Sequence, residues 1–161
     1  MFGIIAFGLD GYAHAAEALV GDAIGRKDPV MLNLAIKRTN ALAFASSLLM
    51  GLFILAGEMP IIRALTNQQS LIELTAQQWH WVALMPCASF LAFQMDGIFV
   101  GATRGREMRN AMLVSTAVFV AVVWVAAPYG LAGLLAAFTL WLGMRGLTLW
   151  LLLPRVIRLA I

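Results

Sequence analysis

Charged residues are scarce in this chain, since Asp, Glu, Lys and Arg make up only 12% of its 161 residues. A soluble domain carries about 25% charged residues, whereas this chain is 62% hydrophobic. The single cysteine, Cys87, excludes an intrachain disulfide and a multi-cysteine metal site, and it reads as a small buried apolar side chain. His14 and His80 are too few and too far apart for a metal site. The composition predicts a membrane protein.

Several motifs of soluble enzymes and motors are absent from the sequence. It contains no glycine-rich phosphate loop, which argues against an ATP-driven motor on this chain. It has no evident Ser/His/Asp set, and its carboxylates lie in no GxGD or HExxH context, so we expect no enzyme activity and no catalytic residue. The net charge of +3 has a simple cause in basic loop residues and does not indicate a nucleic-acid partner. We expect neither a cofactor nor a bound metal.

Long apolar runs dominate the chain instead. Each is near the length at which a helix crosses about 30 Å of hydrocarbon, and none alternates as transmembrane β-strands do. We therefore predict an all-α fold, a polytopic bundle of transmembrane helices in a lipid bilayer. Its five predicted spans cover residues 1–24, 39–56, 79–103, 111–127 and 131–153. The short turn at residues 128–130 predicts that the last two spans form an antiparallel hairpin.

The segment between the second and third predicted spans has an interfacial character. Residues 58–65 are predicted to form a short helix that lies on the membrane surface. Trp79 and Trp81 then stand where an aromatic belt anchors a helix at the interface.

Basic residues predict the orientation of the spans. Nine of them fall on one side: Arg26, Lys27, Lys37, Arg38, Arg104, Arg106, Arg109, Arg155 and Arg158. The opposite side has only Arg63, so the positive-inside rule predicts a cytoplasmic C-terminus and an outer Met1 in the plasma (inner) membrane. A first span that starts outside, with no basic segment before it, predicts a C-terminal piece of a longer transporter. A genuine five-span protein is the alternative.

Ionisable residues inside the first span form the first candidate site. Gly3, Phe7, Asp10, His14, Glu17 and Gly21 are spaced 4, 3, 4, 3 and 4, which places them on one helical face. The small residues permit close helix contact, whereas the ionisable ones need water or partners. Asp10, His14 and Glu17 are therefore candidates for handling a proton or a cation. Alternatively, they merely satisfy each other at a helix contact.

A second candidate site joins the third and fifth spans. Asp96 lies eight residues before Arg104, so about 12 Å of helix separates it from the membrane boundary. Arg145 lies at a comparable depth in the fifth span, which predicts an intramembrane ion pair with Asp96, structural as easily as functional. Asp96 is also a candidate transport residue. Pro86, in the same span, predicts a helix kink because it removes a backbone hydrogen bond.

Three stretches carry a family resemblance. They are LDGYAHAAEALVGDAIG at residues 9–25, MDGIFVGATR followed by EMRNAM at residues 95–112, and RGLTL at residues 145–149. The first resembles the eighth transmembrane helix of MATE (multidrug and toxic compound extrusion) transporters of the DinF-like branch. The second resembles the end of the tenth helix and the start of the eleventh, and the third resembles the twelfth.

This resemblance implies an architecture of two six-helix lobes around a cavity that opens alternately to each side. Residues 1–161 would then form most of the C-terminal lobe, helices eight to twelve, and the N-terminal lobe would be missing from this chain. The best-known coupling carboxylate of the DinF-like branch lies on the first helix, so no position here can receive that role.

The resemblance also implies a function. Members of the family expel small amphipathic, often cationic, compounds in exchange for protons or sodium ions. The chain would be part of such a secondary-active multidrug antiporter. A flippase for lipid-linked precursors is one alternative, which should show more cationic residues in the cavity than Arg145 alone. A truncated remnant that transports nothing is the other.

Overall fold

The computed structural model describes the backbone of residues 2–160 and the side chains of residues 3–159. Met1, where the first predicted span begins, lies outside the described residues. The described part of the chain contains helices and no strand. The helices are α1 (Phe2–Gly25), α2 (Pro29–Ala56), α3 (Glu58–Leu65), α4 (Gln69–Gln77), α5 (Trp79–Gly101), α6 (Gly105–Ala126) and α7 (Gly130–Ile157), with 3-10 turns at Ala127–Tyr129 and Arg158–Ala160. The all-α prediction is confirmed.

The five long helices correspond to the predicted spans, but α2, α6 and α7 each extend further by a turn or more. α6 begins at Gly105, six residues before the predicted start at residue 111. α2 begins at Pro29, ten residues before the predicted start, because the Asp28 carboxylate caps the helix by accepting a 2.9 Å bond from the Met31 N–H. α7 continues through Pro154 to Ile157. The extra turns carry basic side chains, so hydropathy alone placed the helix ends too close to the membrane core.

Three continuous helical stretches of the described residues are long and apolar enough to cross a membrane: Pro29–Ala56, Trp79–Gly101 and Gly105–Ile157. The third reverses direction at the Ala127–Tyr129 turn, where Gly130 adopts a φ of 58°. The rings of Phe119 and Trp141 meet 5.7 Å apart across the resulting antiparallel hairpin of α6 and α7. α1 is as long as a span but carries Asp10, Glu17 and Asp22, so the count of five spans stays a prediction.

α5 is the central helix of the bundle and packs against α1, α2 and α7. It runs antiparallel to α2, since the Trp79 indole N–H donates to the Ile54 carbonyl at 2.8 Å and Cys87 lies beside Ser47. It runs parallel to α1, because Gly97 lies against Ala13 and, one turn later in both helices, Gly101 lies against Glu17. Pro86 is buried within α5, and the predicted kink stays a prediction.

Trp79 corrects one prediction. Only 2% of its surface is exposed, and its N–H is satisfied by a backbone carbonyl of α2. It is therefore a core residue at the start of α5 rather than an interfacial anchor.

This packing brings one end of every long helix to the same end of the molecule. Two tight turns close that end, where Lys27 and Thr103 adopt left-handed φ values of 53° and 57°. In the second turn the Arg104 N–H donates to the Phe99 carbonyl at 2.8 Å, which directs α6 back along α5. All nine basic residues of the predicted side belong to this end, the basic end, and Arg63 on α3 belongs to the other.

Two apolar clusters form the core. One, toward the basic end, includes Val20, Phe99 and Leu149, and the other, toward α3 and α4, includes Leu9 and Trp79. On α1 the second cluster ends at Leu9 and the first begins at Ala16. The charged side chains of the bundle interior lie between the two clusters.

Candidate functional site

An ion pair joins α5 and α7 between the two apolar clusters. The Arg145 guanidinium donates through Nη2 to Oδ2 of Asp96, and the two side chains are only 21% and 22% exposed. The adjacent residue Gly146 permits this approach, because a Cβ there would lie 2.7 Å from the backbone nitrogen of Ala92. Close backbone packing therefore holds the two charges together away from most water.

Asp10 on α1 extends this pair into a cluster of three charges. Its carboxylate lies within electrostatic reach of Asp96. The approach of α1 to α5 depends on Gly97, whose missing Cβ would lie 2.1 Å from the Ala13 carbonyl oxygen, and on Gly101, whose missing Cβ would lie 2.4 Å from that of Glu17. Asp10 has no ion-pair partner within residues 2–160. With both carboxylates ionised, the cluster carries two negative charges against one guanidinium.

His14 and Glu17 form a separate pair on α1, one helical turn apart. His14 Nδ1 lies 3.5 Å from Glu17 Oε2, and their side chains are 78% and 43% exposed. The packed face of α1 is a different, apolar stripe: Ile5, Leu9, Ala13, Ala16, Val20 and Ala23. The predicted stripe from Gly3 to Gly21 therefore faces mainly away from the packed core, and Phe7 within it is 83% exposed.

This exposure revises the role that the spacing assigned to the stripe. Gly3 has no atom within 4 Å of an added Cβ, so it serves no close helix contact among the described residues. The close contact with α5 is made by the α1 backbone at Ala13 and Glu17. His14 and Glu17 are left on an open face of the chain, whereas Asp10 lies within electrostatic reach of Asp96.

Gln94 is a buried polar residue that the sequence analysis did not select. It is 1% exposed, and neither atom of its amide group has a hydrogen-bond partner among the described residues. A buried amide without partners is costly and rare in a folded protein. The available signal was a lone amide inside an apolar span, two residues before Asp96.

Within the described part of the chain, no group of three or more His, Cys, Asp or Glu side chains could hold a metal ion. The cluster formed by Asp10, Asp96 and Arg145 carries one excess negative charge when both carboxylates are ionised. A second acidic group, Glu17, lies on the same helix as Asp10 and is open to solvent or to another part of a larger assembly.

Comparison with known proteins shows which family the sequence resembles. The MatE family model matches residues 1–126 of the chain. Over 148 residues the chain is 34% identical to DNA damage-inducible protein F of Escherichia coli (strain K12). The aligned region covers 89% of this chain and 31% of that protein. The chain thus spans less than a third of that relative's length. No solved structure matches the chain.

These matches confirm the resemblance that the three sequence stretches carry. The family is one of membrane transporters and not of enzymes, and the long apolar helices make the chain an integral membrane protein. The chain therefore belongs to the MatE family.

Proposed function

We propose that this chain forms part of a secondary-active antiporter that exports small amphipathic or cationic compounds in exchange for protons or sodium ions. In this proposal it supplies most of the C-terminal lobe, in the inner membrane, with its C-terminus in the cytoplasm. Family membership supports transport, and the 31% coverage of the E. coli relative supports a larger assembly that includes a second lobe.

The observation that carries the proposal is the excess of negative charge between the two apolar clusters. An ionisable group at bilayer depth costs roughly 2.5–3.5 kcal/mol on insertion scales, so it marks a pathway for ions, protons or substrate. Arg145 offsets the charge of Asp96, and Asp10 adds a second carboxylate within electrostatic reach. Proton or cation binding at this cluster would restore neutrality.

The exposed pair on α1 supports the same proposal. Glu17 and His14 lie on the open face of α1, where a central cavity between two lobes would lie in the family architecture. Asp10 and Glu17 would then alternate between binding the coupling ion and binding a cationic substrate. The flippase alternative is less favoured, because the Arg145 guanidinium is already paired with a carboxylate and is not free for a phosphate.

Everted membrane vesicles that contain the full protein test this proposal. We expect a fluorescent cationic dye to move when a proton or a sodium gradient is imposed. Asp10→Asn and Glu17→Gln keep the side-chain shape but remove the titratable charge, so gradient-driven dye movement should fall to background at unchanged protein abundance. Asp22→Asn is the matched control, because Asp22 is on the same helix but pairs with Arg26 outside the cluster.

Two outcomes would contradict the proposal in different ways. Failure of every dye to move under either gradient would count against drug antiport as a whole. Normal dye movement by the Glu17→Gln protein would remove only Glu17 from the mechanism.

The second lobe is tested separately by the genomic DNA upstream of the Met1 codon, where we expect an in-frame continuation that encodes further apolar spans.

A further inference from the structure

A pocket of about 660 Å³ opens at the basic end of the bundle. It lies where α1, α5 and α7 end and where α6 begins. Its polar lining consists mainly of three arginines, Arg104, Arg106 and Arg155, and one carboxylate, Glu107. These residues come from two helices and one turn, so tertiary packing creates the pocket.

The charges in this pocket do not balance. Arg104 donates to Glu107 at 2.8 Å, and Arg155 lies within electrostatic reach of the same carboxylate. Arg106 forms no ion pair within residues 2–160. Among the described lining residues, one carboxylate therefore serves three guanidinium groups, an excess of two positive charges in a concave site.

The backbone adds to this positive character. The first turn of the 22-residue helix α6 lines the pocket; its N-cap residue Arg104 makes no side-chain capping bond, and the Glu107 carboxylate accepts from its own backbone N–H. An uncapped helix start presents N–H groups and the positive end of the helix dipole. The tight turn at Thr103 holds this helix start beside the end of α5.

Apolar residues also line the same pocket. Ile24, Ala102 and Leu159 line it, and Ala102 is almost fully buried. Further along α7 toward the membrane core, Trp150 and Leu151 are half-exposed or more, as expected of a surface that contacts lipid chains. The pocket thus combines guanidinium groups with adjacent apolar surface at the end of the bundle.

We propose that this pocket binds the phosphate-bearing headgroup of an anionic phospholipid. Guanidinium groups bind phosphate oxygens through paired, charge-assisted hydrogen bonds. Basic pockets between transmembrane helices are known to hold anionic headgroups. A soluble anion would use the arginines but not the adjacent apolar surface, so the combination favours a lipid. The bound lipid would link the starts and ends of α1, α5, α6 and α7.

Native mass spectrometry of the full protein, purified in detergent and titrated with phosphatidylglycerol or phosphatidylcholine, tests this site. We expect phosphatidylglycerol to bind more tightly. Arg106→Gln and Arg155→Gln should each weaken that binding about fivefold, as expected for one basic residue near anionic lipid. Glu107→Gln should strengthen it, because it removes the competing carboxylate among the described residues that line the pocket. Arg155→Lys should lose less affinity than Arg155→Gln, because it keeps the charge but not the paired hydrogen bonds of the guanidinium.

Arg109→Gln is the matched control, since Arg109 lies on the same helix three residues after Arg106 but does not line the pocket. It should leave the affinity unchanged. An equal loss with Arg109→Gln and Arg106→Gln would overturn the proposal, because only general surface charge would then matter. Equal binding of the two lipids would overturn it as well. Displacement of phosphatidylglycerol by millimolar inorganic phosphate would reassign the pocket to a free anion.

Discussion

At the scale of single residues, Trp79 illustrates how burial changes the role of an amphipathic side chain. Its indole N–H donates to the Ile54 carbonyl, which lies in the last turn of α2. Carbonyls in the last turn of a helix lack an intrahelical partner. Trp79 therefore satisfies a carbonyl of α2 and fills the core between α2 and α5.

We predict that Trp79→Phe lowers the free energy of unfolding by about 1–3 kcal/mol, because it leaves the Ile54 carbonyl without a partner. Trp124→Phe is the control, since Trp124 is 80% exposed and should change stability little. Thermal unfolding of the detergent-purified protein, followed by tryptophan fluorescence or circular dichroism, measures both. Equal melting temperatures for the two variants would contradict the structural role of Trp79.

The Asp96–Arg145 pair supplies a second prediction at the residue scale. Asp96→Asn leaves a largely buried guanidinium without its partner, so membrane yield and stability should fall. Arg145→Gln should lower membrane yield and stability similarly, and the double change should recover part of both losses. The coupling energy of the cycle should be about 0.5–3 kcal/mol. Additive effects of the two changes on stability would mean that the pair contributes no mutual stabilisation.

At the scale of helices, the packing of α1 on α5 depends on two glycines of α5. Gly97 and Gly101 bring the backbones so close that an added Cβ would lie 2.1 Å and 2.4 Å from carbonyl oxygens of α1. These are backbone atoms, which cannot rotate away as a flexible side chain would. Small residues at such contacts are the usual means by which membrane helices approach closely.

We predict that Gly97→Ala destabilises the bundle by about 1–3 kcal/mol, because α1 must move away from α5. Gly143→Ala is the matched control, since an added Cβ on α7 would meet nothing within 4 Å. It should leave stability unchanged or raise it by up to about 1 kcal/mol, owing to the better helix propensity of alanine. If the Gly97→Ala and Gly143→Ala proteins unfold at the same temperature, close packing of α1 on α5 at Gly97 is contradicted.

At the scale of the whole molecule, the distribution of charge separates two ends. Nine basic residues belong to the end where α1, α5 and α7 terminate, and Arg63 belongs to the other. The positive-inside rule then predicts that the basic end lies in the cytoplasm.

Cysteine labelling tests this orientation in cells. With Cys87→Ser as background, we expect a membrane-impermeant thiol reagent to label Asn67→Cys in intact cells. Lys27→Cys should react only after the membrane is permeabilised. The unsubstituted background gives the baseline. The reverse pattern of labelling would show that the basic end faces outward.

The sequence by itself determined the helical class, the membrane environment and the approximate limits of the long helices. These features depend on hydropathy and on turn residues a few positions apart, such as Pro128 and Gly130 in the α6–α7 hairpin. The short helix α3 coincides with the predicted residues 58–65 for the same reason. The start of α2 was missed, because a capping aspartate and a proline outweighed the polarity of the turns that follow.

Only the tertiary structure decided which charged groups meet and which faces are buried. Asp96 and Arg145 are 49 residues apart in the chain. Their comparable depth suggested that they pair, but the sequence did not predict which face of each helix they occupy. Helix rotation is decided by packing, here by Gly97 and Gly146 at the two crossings of α5. The same packing turned the Gly3–Gly21 stripe away from the core, buried Trp79, and gathered three arginines around one pocket. Contacts between distant segments decide such features, and the local sequence does not predict these contacts.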